Sequence, residues 1–363
     1  MATTATKLRM NTTISLLDAA QLICAVPDNI FYLKGEPGIG KSSILDFLRN
    51  QLPDHVVATP IDVPNLDIGD TAMPVVDREK MLTNYAPNSR FQLTCGKPVV
   101  LMLDEFTKGP TPTKNMLHPL FEVSNRRLGD VILHPGSIVF LTGNLGSDGV
   151  GDDLKAHTVQ RVSQLHVRKS SSDEWLSWAA NSTRPIDPSV MAWVKAFPHC
   201  FASYLDGDQD ENPYIFNPKK AGQRACVSPR TLERASNIVM QRHRISDAAL
   251  IAGLVGTVGE SAARDMEAYI AYQDDIPSWE EMTTHPKTAN VPTDPGACSV
   301  LIYRAISMID KATLQPLMTY LERFPAEWQA AFVINVARNP AKQAIAFASP
   351  TFAKWVLENE DLL

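Results

Sequence analysis

The chain has 363 residues, room for two or three domains, and its 44% hydrophobic and 20% charged residues are the balance of an ordinary globular protein. A formal net charge of −6 argues against a generally nucleic-acid-binding surface. The five cysteines (Cys24, Cys95, Cys200, Cys226, Cys298) are odd in number, scattered and without a C-x-x-C pair, which speaks against a disulfide framework or zinc site and for free thiols in a reducing compartment. Met1 to Asn11 contain basic residues with no apolar stretch behind them, so no signal peptide is expected. No apolar run nears the roughly 18 residues of a membrane span, and the expectation is a cytoplasmic protein.

Along the chain, Asn29 to Leu33 is a short apolar run rich in β-formers, and Ser43 to Arg49 has apolar residues at helical spacing. Between them, Gly35-Glu36-Pro37-Gly38-Ile39-Gly40-Lys41-Ser42 fits the phosphate-binding pattern G-x-x-x-x-G-K-[ST]. Glycines let backbone N–H groups turn toward a phosphate, and the following helix adds its positive end. Lys41 would reach the β- and γ-phosphates, and Ser42 would offer its hydroxyl to Mg²⁺. Gly35, Glu36, Pro37, Gly38, Ile39, Gly40, Lys41, Ser42 and Ser43 are therefore the candidate nucleotide-binding residues. Val56-Val57-Ala58 gives another strand signal. Pro60 to Leu93 lacks a clean period and contains Pro64, Pro74 and Pro87, so an irregular surface is expected.

Pro98 to Leu103 is an unbroken apolar run, the pattern of a parallel strand buried on both faces, and it ends in Asp104-Glu105 about 60 residues after the phosphate loop. Carboxylates at a strand's C-terminal end stand where open α/β sheets bind ligands. Asp104 would hold Mg²⁺ through its water shell, and Glu105 would orient and polarise an attacking water. Arg126 to Gly136 reads as a hairpin whose paired arginines, Arg126 and Arg127, are expected to be solvated. Ser137 to Thr142 is a further strand, followed by Gly143-Asn144; Asn144 is either a group for the attacking water or γ-phosphate, or a turn residue. Gln164 to Val167 completes a sheet with helical patterns between its strands, an α/β domain over residues 1–170.

The segments Gly35 to Ser42, Leu103-Asp104-Glu105 and Thr142-Gly143-Asn144 together resemble the Walker A, Walker B and sensor 1 motifs of AAA+ ATPases. Leu154 to Val162 resembles the segment ending in that family's arginine finger, here Arg161, although Val162 stands where an aromatic is usual. Val227-Ser228-Pro229-Arg230-Thr231 resembles sensor 2, with Arg230 opening a lid helix. Softer patterns (Asp62 to Asp70, Tyr85 to Asn88, Asn125 to Gly129, Asp173 to Ala179) are similar to the bacterial and phage-borne branch of the MoxR-like group. The resemblance covers roughly residues 14–280. It implies a P-loop NTPase parallel sheet with helices on both faces, then an α-helical lid. It also implies ATP with Mg²⁺, a pore-facing surface over Pro60 to Leu93, a homo-hexamer, and a von Willebrand A domain protein as partner or a protein substrate. Asn144, Arg161 and Arg230 join Glu105 as candidate catalytic residues, with Arg161 acting in trans.

Beyond Ser170, Trp175, Trp178, Val190, Trp193 and Val194 recur at helical spacing, a packed helical core over residues 171–280 that includes helices at Thr231 to Arg242 and Ser246 to Val258. Asp206 to Pro213 is an acidic turn lacking the glycine and distal glutamate of a calcium loop. Residues 276–297, with Pro277, Pro286, Pro292, Pro295 and Gly296, read as a linker, and residues 281–363 as linker plus helical extension with helices at Leu314 to Phe324, Glu327 to Ala337 and Phe352 to Glu358. The eight histidines show no metal-ligand spacing. The leading expectation is a ring-forming ATPase that remodels a protein partner. The alternatives are a nucleic-acid motor or loader, which no basic run supports, and a nucleotide-gated scaffold, for which Glu105 would be superfluous.

Overall fold

The computed structural model describes residues 13–145, 154, 156–220, 223 and 225–362, which form two compact units divided between Lys169 and Ser170. The readings of Met1 to Asn11, of the loop after Leu145 and of Lys155 lie outside the described residues. Among the described residues no helix is long and apolar enough to cross a membrane.

The first unit runs β1 (Thr13–Ile14), α1 (Leu16–Ala25), β2 (Phe31–Lys34), α2 (Ile44–Gln51), β3 (Val56–Val57), β4 (Ile61–Asp62), β5 (Ala72–Asp77), β6 (Leu82–Pro87), β7 (Val99–Asp104), α3 (Thr111–Leu117), β8 (Arg127–Leu128), β9 (Val131–Ile132), β10 (Ile138–Gly143), α4 (Ala156–Val159) and β11 (Ser163–Val167). Its sheet is parallel throughout, in the order β1-β11-β2-β10-β7-β3, with β4 also pairing with β7. Side chains alternate across the pleat. Phe31, Leu33, Val100, Met102, Ile138 and Phe140 pack with α1 and α2 on one face. Tyr32, Val99, Leu101, Leu103, Val139 and Leu141 pack with Phe106, Leu117 and Phe121 on the other. Two apolar layers explain why the strands carry unbroken apolar runs, and the parallel α/β sheet with helices on both faces expected for a P-loop NTPase is present. Ser15 caps α1 through a reciprocal bond with Asp18.

Two antiparallel hairpins stand off this sheet. β5 and β6 pair over six residue pairs from Ala72↔Pro87 to Asp77↔Leu82. This corrects the irregular surface expected over Pro60 to Leu93. Both faces of the hairpin are largely exposed, with Met73, Val75, Val76, Leu82 and Tyr85 between 43% and 66% accessible, so no buried face imprints a period of two on the sequence. β8 and β9 form a smaller hairpin around Gly129-Asp130. Gly129 has φ +56°, and a Cβ there would stand 2.2 Å from the Tyr85 carbonyl oxygen. That close approach lets the Tyr85 N–H donate to Asp130 Oδ2 (2.6 Å) and the Asp130 N–H donate to Tyr85 O (3.0 Å), joining the two hairpins.

The second unit is helical: α5 (Ser172–Asn181), α6 (Pro188–Ala196), α7 (Pro229–Val239), α8 (Asp247–Val258), α9 (Glu260–Asp275), α10 (Trp279–Thr284), α11 (Pro295–Met308), α12 (Leu314–Leu321), α13 (Ala326–Ala337), α14 (Pro340–Phe347) and α15 (Pro350–Glu358). Side-chain caps recur at Ser171, Asp187, Ser228, Ser246, Ser278, Asp294, Asn339 and Ser349. One apolar core runs from Trp175 to Trp355, so residues 281–363, set apart in the sequence reading, share their core with 171–280. The segment 276–297 is only in part a linker. It holds α10 with Met282 fully buried, and Pro295 occupies the first turn of α11, where a missing N–H costs nothing. α11 contacts α6, α9 and α13, and nine of its fourteen residues are buried.

Candidate active site

β2 delivers the chain into the phosphate-loop sequence. Gly38 (φ +77°) and Gly40 (φ +93°) adopt left-handed backbone, which a side chain would strain. Gly35 is required for a different reason: a Cβ there would lie 2.7 Å from Val167 O and 2.7 Å from Ile39 Cδ1. Ile39 is buried and pins the loop, and Glu36 is buried beside it. Lys41, Ser42 and Ser43 form a single 3₁₀ turn that leads into α2, with Ser43 Oγ donating to Gly40 O at 2.7 Å. Ser42 is half-buried in that turn.

Lys41 Nζ donates to Gly35 O (2.9 Å), Glu36 O (2.9 Å) and Asn144 Oδ1 (3.1 Å). The last of these bonds crosses the sheet, because β10 is the neighbour of β2, with Gly143 opposite Lys34. On its other side β10 pairs with β7, Leu141 opposite Leu103. The tip of β10 thus stands between the phosphate loop and the two acids. Thr142 Oγ1 donates to Asp104 Oδ1, and the Glu105 N–H donates to Thr142 Oγ1 at 3.3 Å. Asn144 Nδ2 donates to Glu105 Oε1 at 3.4 Å. Lys108 Nζ donates to Glu105 Oε2 at 2.8 Å. Lys41, Asn144 and Glu105 therefore form one continuous polar chain at the C-terminal ends of parallel strands, the place where such sheets bind ligands. Asn144 is buried, as a positioned group requires, and its two amide atoms serve two different partners.

Of the candidate arginines, Arg161 follows α4 in the turn and is held within its own chain. Its guanidinium lies 2.8 Å from Glu122 Oε1 and 3.3 Å from His118 Nδ1. Arg230 belongs to the second unit, where it is exposed in the first turn of α7 behind the Ser228 cap. The pair at 126 and 127 divides. Arg127 is exposed as expected, but Arg126 is 8% accessible, a correction to its reading as a solvated charge. Its guanidinium donates to the carbonyls of Pro27 (3.2 Å), Ser137 (2.8 Å) and Asp28, and burial pushes its pKa down against the opposing pull of Asp28. The sequence reading missed Lys108, Thr142 as the partner of Asp104, and Glu122 as the partner of Arg161. Only Lys108 left a signal, its spacing of three from Glu105.

Ser42 and Asp104 supply a hydroxyl and a carboxylate. That donor set fits magnesium, which takes one or two protein oxygens and completes its shell with phosphates and waters. Among the described residues no cluster of three or more His, Cys, Asp or Glu side chains could hold a metal as an all-protein cage.

No protein-family model matches the chain. No curated protein matches it either. Among solved structures, a candidate ATPase from Cytophaga hutchinsonii is 14% identical, the alignment covering 69% of this chain and 83% of that one at a TM-score of 0.33. NtrX from Brucella abortus, in complex with ATP, is 12% identical over 99% of this chain and 69% of its own, at a TM-score of 0.36. Similarity this low leaves the function to be read from the geometry of the chain itself.

Proposed function

We propose that this protein is an ATP hydrolase of the AAA+ type that binds ATP with Mg²⁺ at Gly35 to Ser43. The observation that carries the reading is the polar chain Lys41–Asn144–Glu105 across the tips of β2, β10 and β7. Lys41 would exchange its carbonyl partners for the β- and γ-phosphate oxygens, so that its charge meets an ionised acceptor instead of neutral carbonyls. Glu105 would polarise a water in line with the γ-phosphate, and Asn144, touching both groups, would keep that water and the phosphate in register. Thr142 holds the Asp104 carboxylate by hydrogen bonding, which leaves its other oxygen for a metal-bound water. Magnesium, when bound, would neutralise phosphate charge, with Ser42 and Asp104 as its protein-side holders.

The finer reading extends this to a ring-forming, MoxR-like remodelling ATPase of the cytoplasm, a homo-hexamer working on a protein partner such as a von Willebrand A domain protein. Its support is the set of sequence motifs, including Arg161 and Arg230. In a ring, Arg161 would leave Glu122 and reach the γ-phosphate of the neighbouring subunit.

The test is steady-state ATPase activity across protein concentration, with assembly followed by light scattering. Activity per subunit should rise with assembly, and Glu105→Gln should lower turnover about 10²- to 10⁴-fold while nucleotide still binds. Arg161→Ala should abolish only the assembly-dependent part. Unchanged turnover in Glu105→Gln would sink Glu105 as the water-polarising acid, and no turnover in the assembled wild type would sink the hydrolase reading. Full activity of assembled Arg161→Ala would sink the trans finger alone.

A further inference from the structure

The turn after β7 is unusually constrained. Glu105 has φ +49°, a left-handed conformation, and opens a 3₁₀ turn over Phe106, Thr107 and Lys108. In a 3₁₀ turn residues three apart eclipse one another, so Lys108 is brought over Glu105 by the backbone rather than by choice of rotamer alone. The turn is locked from three directions. Phe106 is buried against Phe121, with ring centroids 5.5 Å apart. Lys114 Nζ, from α3, donates to Thr107 O at 2.8 Å. Gly109 lies so close to Val63 that a Cβ would meet Val63 Cγ1 at 2.5 Å.

Resting on the ATPase reading above, we propose that Lys108 is a positioning residue for Glu105. It anchors one carboxylate oxygen so that the other faces the phosphate-binding side. Oε2 accepts from Lys108 at 2.8 Å, a strong charge-assisted bond. Among the described residues Oε1 has only the long 3.4 Å contact with Asn144, whose other amide atom touches Lys41. The strongly held oxygen thus fixes the carboxylate plane, and the weakly held one stays available to a water on the Lys41 side. Without the anchor the carboxylate would rotate about its terminal torsions, which are broad and poorly restrained, and would spend most of its time misaligned. Lys108 touches neither nucleotide nor water in this scheme and acts only through Glu105.

The experiment compares the full-length protein with Lys108→Met, Lys108→Gln and Lys108→Arg, each also in the Glu105→Gln background, at concentrations where assembly is complete. Three quantities are read: kcat and KM for MgATP hydrolysis, affinity for a fluorescent ATP analogue, and residual single-turnover rate. Lys108→Met and Lys108→Gln should each lower kcat about 10- to 100-fold, with KM and analogue affinity within about twofold. Lys108→Arg, which keeps the cation and a donor, should recover most of the rate. In the Glu105→Gln background, replacing Lys108 should cost nothing further, because the group it positions is already gone. If kcat stays near wild type in both neutral variants, or falls equally in both backgrounds, Lys108 does not act through Glu105, while the ATPase reading stands on the Glu105→Gln result. If the assembled wild type shows no turnover at all, both readings fall together.

Discussion

Residues 1–169 carry 17 basic and 17 acidic side chains, whereas residues 170–363 carry 17 basic and 23 acidic, so the whole net charge of −6 belongs to the helical unit. The cores differ too. The sheet unit divides its apolar side chains between two layers, and the helical unit gathers them into one. A parallel sheet buried on both faces leaves polar side chains only at strand ends and in the loops beyond them, and there Lys41, Asp104, Glu105 and Asn144 converge. A helical unit built around one core has no corresponding edge, and its polar groups serve mainly as caps and as a solvated acidic surface. The difference teaches where to look for chemistry first: at the tips of the sheet.

Four measurements sharpen or break this contrast. The largest expected effect is in the helical core. Leu301→Ala, at a fully buried position of α11, should cost about 2–5 kcal/mol, and hydrogen exchange should show lost protection in residues 170–363 but not in 13–145. Equal loss in both would mean that the two cores do not stand independently. Next, Arg126→Ala removes the donor for three backbone carbonyls and should destabilise the sheet unit by about 2–4 kcal/mol, read as a lower urea midpoint with the slope unchanged. A near-neutral result would return Arg126 to the solvated role that its sequence suggests. Third, Asn144→Ala should slow ATP turnover about tenfold with little change in stability, and a large stability loss instead would make Asn144 a structural residue.

The smallest effect concerns alkali. Burial raises the pKa of Tyr320, whose hydroxyl donates to Asn290 O at 2.6 Å. Its folded value lies above the unfolded value of about 10, so the protonated phenol stabilises the fold below about pH 10 and that contribution is lost as pH rises further. Tyr320→Phe should therefore lose less stability than wild type on going to about one pH unit above the unfolded value, by about 1 kcal/mol. Parallel stability curves for the two proteins would refute the assignment.

How much was legible in the sequence followed from burial geometry. β7 and β10 were readable because strands buried on both faces need unbroken apolar runs, and the phosphate loop because left-handed and tightly packed positions need glycine. α11 escaped notice for the opposite reason: packed by α5, α6, α9 and α13 and buried at nine of its fourteen positions, it shows no narrow apolar stripe. The β5–β6 hairpin was hidden because neither of its faces is buried. The prolines of 276–297 suggested a linker, yet Pro295 starts a helix, and composition alone cannot separate a proline that breaks structure from one that begins it. The spacing of three between Glu105 and Lys108 was visible, but it becomes a contact only because a 3₁₀ turn follows the strand.

The strand that carries the phosphate loop has a consequence for the order of folding. Among the described residues β2 pairs only with β10 and β11, whose partner residues for Phe31 are Phe140 and Ser163, more than 100 residues further along. During synthesis the loop's own sequence emerges early but stands on a strand with no neighbour until the end of the first unit has left the ribosome. Closing contacts of such separation is slow compared with forming local helix pairs. Nucleotide capture would then be a late event, and the appearance of ATP affinity in a growing chain would mark the moment at which the sheet closes.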